Sequence, residues 1–436
     1  MEDYITNEDT IIFSLKFNKP LNPLILTNYK KIIFSDYKLN EKLFDAYSNS
    51  NFIIMEWIDS EFNCPLSTSL NGLINLTHIN FGYRFNCPLS NSLNGLINLT
   101  HIKFGSNFNH PLSNSLDGLI NLTHINFGSN FNCPLSTSLD GLINLTHINF
   151  GLEFNQLPSN SLDRLINLTH ISFGSFFDCP LSNSLDKLIN LTHLSFNNNF
   201  NQSLSNSLDN LINLVHINFG YSFNQPLSNS LDKLVNLVHI NFGDHFNHSL
   251  STSLDNLINL THINFGYRFN YPLSNSLDSL VNLTNLTLGS NFNHPLSNSL
   301  DRLINLTHIN FGSNFNYSLS TSLDNLINLT HIKFGYCFNE KLDIPLNIKS
   351  IILNCNNQYI INNLPNSIEE LELGCDFNLE LNDLPSSIKK IIFNKQSNYN
   401  KPLNNLPKGV ELLELPHKYN IPIINIPKEL KKNNLL

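Results

Sequence analysis

Hydrophobic and polar positions recur with a strict period of 23 residues between residues 62 and 339. Each repeat reads F-N-x-P-L-S-x-S-L-x-x-L-I-N-L-T-H-I-x-F-G-x-x, and twelve complete repeats follow one another without an insertion. The marker phenylalanines that open the repeats are Phe62, Phe85, Phe108, Phe131, Phe154, Phe177, Phe200, Phe223, Phe246, Phe269, Phe292, Phe315 and Phe338. A sustained period of this length indicates stacked repeats rather than the two or three globular domains that 436 residues would otherwise suggest.

The pattern within one repeat predicts one strand and one return segment. Residues 79–81 alternate apolar and polar side chains, which favours a short strand, and Gly82 ends it where a positive φ would be tolerated. Leu89, Leu93 and Leu96 are spaced by four and three residues, which favours a short helical or 3-10 turn. Strands 23 residues apart must then run parallel, stacked about 4.8 Å apart.

The predicted core contains two columns of phenylalanine rings. One column is formed by the marker residues, and the other by the strand position of Phe81, where Leu288 is the single interruption between residues 81 and 334. Asparagines after each marker and before each strand, such as Asn86 and Asn98, are expected to form side-chain ladders that satisfy backbone groups in the turns.

The repeat resembles the leucine-rich repeat, and more narrowly the FNIP repeat of amoebae and of the giant DNA viruses that infect them. The segments LPSSIKKIIF (384–393) and FGYSFNQPLSNSL (219–231) carry this resemblance, which extends over roughly residues 17–430. It implies an α/β leucine-rich-repeat solenoid (horseshoe), with a parallel β-sheet on the concave face and short helical or 3-10 turns on the convex face. We expect an N-terminal cap with degenerate repeats at 1–61, the twelve repeats at 62–339, and shorter FNIP-like repeats with a C-terminal cap at 340–436.

The resemblance further implies a scaffold that binds another protein, which would be a host protein if the chain is viral. Related proteins often begin with an F-box, but the repeats here begin near residue 17, which leaves no room for that module. The alternatives are a substrate-recognition subunit of a ubiquitin ligase whose F-box lies on another chain, or a structural protein of the virus particle. An intracellular location is expected, in the host cytoplasm if the chain is viral.

Charge and composition narrow the choice of partner. The net charge is −9 and basic residues occur at most in pairs, so no basic face for nucleic acid is expected. Apolar runs are too short to span a membrane, and the N-terminus lacks the pattern of a secretory signal. The odd number of cysteines, seven, argues against a disulfide framework. An odd count fits a reducing, intracellular compartment. The Asn-Leu-Thr triplets, which would be glycosylation sequons in a secreted protein, are therefore interpreted as accidental.

A histidine occupies the same outward strand position in eleven of the twelve repeats, with Asn285 as the exception. A metal-binding or pH-sensing surface is one hypothesis, and duplication of a tolerated surface residue is the other. Imidazoles on a flat sheet offer ligands from one side only, which suits tetrahedral zinc poorly, so neither a metal nor another cofactor is expected. Because neighbouring imidazolium charges would repel, the histidines should titrate below their pKa in the unfolded chain.

No motif of a nucleotide-binding loop, a zinc protease or a serine hydrolase is present, so no catalytic residue and no enzyme activity are expected. The positions that vary most between repeats lie at the edge of the predicted concave surface and contain tyrosine and arginine, which are common in binding hot spots. The predicted partner-binding residues are Tyr83, Arg84, Tyr221, Asp244, His245, Tyr267, Arg268, Tyr271 and Tyr336.

Overall fold

The computed structural model describes residues 73–157, 160–428 and 430, and before them residues 4–7, 10–14, 16, 17, 19, 21, 26, 29, 31–34, 53–57, 61–66 and 70. The chain folds as two compact units, Met1–Gly220 (the N-terminal unit) and Tyr221–Leu436 (the C-terminal unit).

The N-terminal unit is a parallel β-solenoid in which each coil contributes one strand. Its strands are β1 (Tyr4–Asn7), β2 (Thr10–Phe13), β3 (Lys31–Phe34), β4 (Ile53–Trp57), β5 (Leu76–Asn80), β6 (His101–Lys103), β7 (His124–Asn126), β8 (His147–Asn149), β9 (His170–Ser172), β10 (His193–Ser195) and β11 (His216–Asn218). Each strand from β2 to β10 pairs in parallel with the next, so that the series ends at β11. The exception is β1, which pairs with β2 antiparallel and so covers the edge of the parallel sheet at its first strand.

The C-terminal unit is built in the same way. Its elements are β12 (His239–Asn241), β13 (His262–Asn264), β14 (Asn285–Thr287), β15 (His308–Asn310), β16 (His331–Phe334), β17 (Ser350–Leu353), the helix α1 (Gln358–Asn362), β18 (Glu370–Leu373), β19 (Lys390–Phe393) and β20 (Leu412–Glu414). Every strand here pairs in parallel with the next one along the chain. The prediction of stacked parallel strands, one per repeat, is therefore confirmed in both units.

The predicted helical return segments are not confirmed. Among the described residues, α1 is the one helix whose bounds are seen, and in the 23-residue repeats the leucine-rich segment is a series of separate turns. In the coil that follows β5, Ser92 donates to the Leu89 carbonyl and Leu96 to the Leu93 carbonyl, each three residues back. Ser90 has a φ of 48°, in the left-handed region, and this conformation prevents a continuous helix from forming.

Two columns of stacked phenylalanine rings fill the core, as predicted. The marker residues Phe85 and Phe108 lie with ring centroids 6.2 Å apart, and the strand residues Phe81 and Phe104 lie 5.6 Å apart. The columns also contact each other, since Phe81 and Phe85 are 4.6 Å apart. All four rings are at least 98% buried, and each contributes roughly 1.5–3 kcal/mol to stability by leaving water.

The glycine that follows most strands of the 23-residue repeats, where Asn197 is an exception, has a role that the sequence did not indicate. Gly105 and Gly128 have no positive φ, so the predicted conformational role is wrong for them. A Cβ atom on Gly128 would instead collide with the backbone carbonyl of Gly105 in the preceding coil. Glycine at this position therefore allows the close stacking of successive coils.

The asparagine ladders are confirmed. Asn86 accepts, through Oδ1, a hydrogen bond from the backbone N–H of Asn109 at 3.0 Å. On the other side of the coil, Nδ2 of Asn121 donates to the carbonyl of Ile97 at 2.8 Å. Asn121 belongs to one of the Asn-Leu-Thr triplets, so its amide nitrogen already has a structural partner.

All seven cysteines are free thiols. In the described part of the chain, no helix has the length and apolar character needed to cross a membrane.

Candidate partner-binding surface

In each unit the histidines lie in a row on the solvent-facing side of the sheet, and these residues are here called the histidine file. Its members are His78, His101, His124, His147, His170, His193 and His216 in the N-terminal unit, and His239, His262, His308 and His331 in the C-terminal unit. In the N-terminal unit, neighbouring ring centroids are 4.1–4.3 Å apart and the ring planes differ by 10–13°. The outward orientation and the one-strand spacing agree with the prediction.

Where a threonine precedes the histidine, the threonine hydroxyl fixes which ring nitrogen carries the proton. The hydroxyl of Thr123 donates to the carbonyl of Thr100 at 3.0 Å, and its oxygen lies 2.8 Å from Nδ1 of His124. A hydroxyl has a single proton, so the bond to His124 must be donated by Nδ1–H. The neutral ring is thereby held in the Nδ1–H tautomer, which leaves the lone pair on Nε2.

The same pair of hydrogen bonds recurs in seven further coils. The histidines held in this way are His101, His147, His170, His193, His262, His308 and His331. Val215 and Val238 precede His216 and His239, and valine has no hydroxyl to supply these bonds. The file therefore presents a row of hydrogen-bond acceptors on a face of β5 to β16 that is neutral except for Lys103 and Lys333.

The environment of the file disfavours the imidazolium form. Burial, and second to it the neighbouring histidines, lowers the pKa of His124 from 6.5 to about 4. The pKa of His170 is lowered to about 4 for the same two reasons, in the same order. The direction agrees with the sequence-based expectation, but the leading cause is desolvation, whereas repulsion between rings was expected to dominate.

The file does not assemble a metal site. Among the described residues, no group of three or more histidine, cysteine, aspartate or glutamate side chains is placed to hold a metal ion. Stacked rings direct their Nε2 atoms in parallel, so adjacent imidazoles cannot converge on one ion.

Asn285 interrupts the file in the C-terminal unit and is followed by a cavity. The cavity has a volume of about 170 Å³ and lies over β14 to β17, where its lining includes Asn285, His308, His331 and Lys333. The shorter asparagine side chain leaves space beside His308 that an imidazole would occupy. The cavity is large enough for one side chain of a partner.

Beyond β16 the neutral face becomes charged. Glu369 lies 3.2 Å from Lys349 and 2.7 Å from Lys389, on adjacent coils, and Lys390 lies 3.9 Å from Glu370. The two lysines lower the pKa of Glu369 by hydrogen bonding and by their charge. Sequence analysis did not single out this charge ladder, because the residues are separated by 20 positions in repeats of a different length.

Five of the nine predicted partner-binding residues lie together. They occupy three adjacent coils at the edge where the strands end, and we call them the tyrosine–arginine patch: Tyr221, Asp244, His245, Tyr267 and Arg268. The rings of Tyr221 and His245 contact each other at 4.6 Å. The backbone N–H of Arg268 donates to the Asp244 carbonyl at 2.8 Å, which ties the second coil to the third. Tyr221 and Tyr267 are 50% and 57% exposed.

The other predicted residues lie elsewhere. Tyr83 and Arg84 belong to the N-terminal unit, where Arg84 forms an exposed ion pair with Glu61 at 3.6 Å. Tyr271 opens the next repeat after the patch and is 39% exposed. Tyr336 lies three coils farther on, and its hydroxyl is 3.7 Å from Sγ of Cys375.

An exposed row of aliphatic residues was missed by sequence analysis. Seven consecutive coils of the N-terminal unit carry an isoleucine that is 51–54% exposed, and we call this row the isoleucine ridge: Ile74, Ile97, Ile120, Ile143, Ile166, Ile189 and Ile212. The sequence did contain a signal, which is the isoleucine of each L-I-N-L segment. This residue does not belong to the spacing of apolar positions that marks the buried side of the coil. The ridge lies before the strands begin, whereas the tyrosine–arginine patch lies after strands end.

Comparisons with known proteins agree with this architecture. Residues 338–376 match the FNIP Repeat family. A search of the curated proteins finds no match to the sequence. Among solved structures, CroV588 of the giant virus CroV, described as a circular leucine-rich-repeat protein, is 25% identical with a TM-score of 0.61 and aligns with 100% of this chain and 76% of its own.

Two further structures show the same fold at lower identity. The leucine-rich-repeat protein LIC12759 of Leptospira interrogans is 17% identical, with a TM-score of 0.60 and coverage of 85% of this chain and 94% of its own. Toll of Drosophila, solved in complex with Spatzle, is 14% identical, with a TM-score of 0.56 and coverage of 92% and 65%. The chain thus has the fold of leucine-rich-repeat proteins, and its residues 338–376 match the FNIP repeat.

Proposed function

We propose that this chain is a non-enzymatic scaffold that binds another protein through the solvent-facing side of the sheet and the edge at which the strands end. Leucine-rich-repeat solenoids are typical protein-interaction modules, and repeats of this kind provide extended surfaces rather than enclosed active sites. The observation that carries the proposal is the tyrosine–arginine patch, which places exposed aromatic rings and an arginine on three adjacent coils.

The chemistry of the patch suits a protein partner. Tyrosine offers a large apolar surface with a hydroxyl for hydrogen bonding, and arginine offers several fixed donors, so both often dominate binding energy. Asp244 and Arg268 carry opposite charges on neighbouring coils, which favours a partner surface with a matched pair of charges. Nothing in the backbone requires these side chains, since other repeats carry serine or asparagine at the same positions.

The cavity beside Asn285 supplies a second element of recognition. It opens on the solvent-facing side of the same unit, and its lining combines Nε2 acceptors of His308 and His331 with the cationic Lys333. A partner surface that places a hydroxyl or amide donor beside a carboxylate would fit this lining. We infer that the patch provides affinity and the cavity provides selectivity.

Affinity purification with mass spectrometry tests the proposal. Wild type would be compared with the double variant Tyr267→Ala/Arg268→Ala, and with Ser129→Ala/Asn130→Ala, which changes the same two positions of another repeat. We expect a partner that wild type and the control retain and that the patch variant loses, because truncation of a hot-spot pair costs about 2–4 kcal/mol. A set of bound proteins that is the same for all three would overturn the proposal.

Two narrower roles give different results in the same experiment. A substrate-recognition role in a ubiquitin ligase predicts cullin-type subunits among the retained proteins. A structural role in a virus particle, which the similarity to a giant-virus protein favours, predicts that the chain remains with purified particles.

A further inference from the structure

The isoleucine ridge leaves about half of each of its side chains exposed to solvent. In the second coil of the ridge, Leu99 donates to the Leu96 carbonyl at 3.0 Å, so Ile97 and Asn98 form the corner of a tight turn. Leu96 and Leu99 are at least 99% buried, whereas Ile97 between them is 51% exposed. Such corners usually carry polar or small residues, and isoleucine adds nothing to the geometry of the turn.

The asparagine beside each ridge residue does serve the fold. Nδ2 of Asn98 donates to the carbonyl of Ile74, and Nδ2 of Asn121 to that of Ile97. These bonds connect successive corners, so the isoleucine side chains form a row with one residue in each coil. The asparagine ladder explains why the ridge residues are aligned, but it does not require them to be apolar.

The exposed area is large enough to form an interface. Isolated exposed isoleucines are common, but a contiguous apolar strip of several hundred Å² is typical of an interaction surface. Seven half-exposed isoleucines with their neighbours approach the roughly 800 Å² that each partner contributes to a stable protein interface.

We propose that the isoleucine ridge binds the same ridge of a second copy of this chain. The ridge has one isoleucine in each of seven coils. A second row with the same spacing of side chains matches it along its whole length. A two-fold pair with its axis along the stack supplies that match, because each isoleucine then lies opposite the same residue of the other copy.

The charges next to the ridge are compatible with this pairing. Aspartates lie three residues before the ridge position in five successive coils: Asp117, Asp140, Asp163, Asp186 and Asp209. Arg164 and Lys187 follow two of them, so this flank is acidic on balance. The residues that follow the ridge along each coil are asparagine, leucine and threonine or valine, which are neutral. With the two-fold axis along the stack, the acidic flank of one copy faces the neutral flank of the other, so like charges do not meet. The same aspartates disfavour an acidic membrane surface as the occupant.

Sedimentation equilibrium and light scattering of the full chain over a concentration series test the pairing. The key variant is the triple substitution Ile120→Asn, Ile143→Asn and Ile166→Asn, since asparagine is well tolerated at turn corners. Its control is Asn126→Ala, Asn149→Ala and Ser172→Ala, which changes the solvent-facing side of the strands in the same three coils. Circular dichroism verifies that both variants keep the wild-type fold.

We expect wild type and the control to reach twice the chain mass, and the ridge variant to dimerise at least about 100-fold more weakly. Wild type that is monomeric at every concentration would overturn the proposal, as would a dimer that the ridge variant leaves unchanged. A monomer that floats with phosphatidylcholine vesicles through its ridge would also overturn it, by assigning the ridge to a lipid surface. Loss of the tyrosine–arginine patch leaves this result unaffected, so the two proposals fail independently.

Discussion

The imidazole rings of His101 and His124 stack with centroids 4.2 Å apart and planes inclined by 11°. At this distance both rings can be neutral, but two imidazolium ions would repel each other across a partly dry gap. The file is therefore a surface whose electrostatics depend on pH, and the protein partner that we propose would meet neutral acceptors near pH 7.

Lowering the pH should destabilise the N-terminal unit. The pKa values of His124 and His170 are about 4, against 6.5 for the ordinary side chain, so the unfolded chain binds more protons than the folded one. The stabilisation from neutral histidine is thus complete above pH 6.5 and is lost as the pH falls from 6.5 towards about 4. The midpoint of thermal unfolding should therefore be lower at about pH 5 than at about pH 7.5.

The matched variant is His124→Asn/His147→Asn/His170→Asn, which copies the residue found at Asn285. It should show a smaller decrease in midpoint between the two pH values than wild type. An identical pH dependence of wild type and variant would show that other groups cause the loss.

The threonine hydroxyls should determine the tautomer of the file. Thr146 donates to the Thr123 carbonyl at 3.0 Å and lies 2.8 Å from Nδ1 of His147. Thr146→Val, which copies Val215, should cost about 1 kcal/mol by removing this bridge. Nitrogen NMR should show the proton on Nδ1 of His147 in wild type and a mixture of the two tautomers in the variant. Protonated Nε2 in neutral wild-type protein would contradict the assignment.

The strand phenylalanines should contribute strongly to the free energy of unfolding, because each ring contacts rings of both phenylalanine columns. Phe150 lies 4.2 Å from Phe154 and 5.4 Å from Phe173. Phe150→Ala should reduce the free energy of unfolding by about 3–5 kcal/mol. Phe150→Leu copies Leu288 and should cost less, on the order of 1 kcal/mol. Denaturant titration measures both, and equal effects would contradict the expectation that leucine fills most of the space of the ring.

The sequence predicts most of this fold because a strict period constrains register directly. Once each marker phenylalanine occupies the same place in its coil, the strand position of His124 must lie beside that of His147, and the pairing follows. The return segment was predicted less well. Leucine spacing of four and three suits both a helix and a series of turns, and the left-handed φ of residues such as Ser113 is a tertiary outcome.

The candidate sites were predictable only in part. Tyr221, Tyr267 and Arg268 stand out because they break the repeat, and parallel stacking then brings them together. The isoleucine ridge was missed because its residues obey the repeat and are apolar, which suggests core. Ile97 is exposed because it lies in the turn between Leu96 and Leu99. The spacing of apolar residues in the sequence does not predict turns of this kind.

The glycine that follows the strand in most of the 23-residue repeats provides the sharpest test of coil stacking. A Cβ atom on Gly151 would collide with the backbone carbonyl of Gly128, and backbone cannot move aside without separating the coils. Gly151→Ala should therefore destabilise the N-terminal unit by more than about 3 kcal/mol or prevent its folding. Gly141, ten residues earlier, has no atom within 4 Å of its ideal Cβ and no positive φ, so Gly141→Ala should be neutral or stabilising by about 0.4–1 kcal/mol. Thermal and denaturant unfolding of the two variants compare them directly. Similar stability of both would mean that successive coils are not in backbone contact at this position.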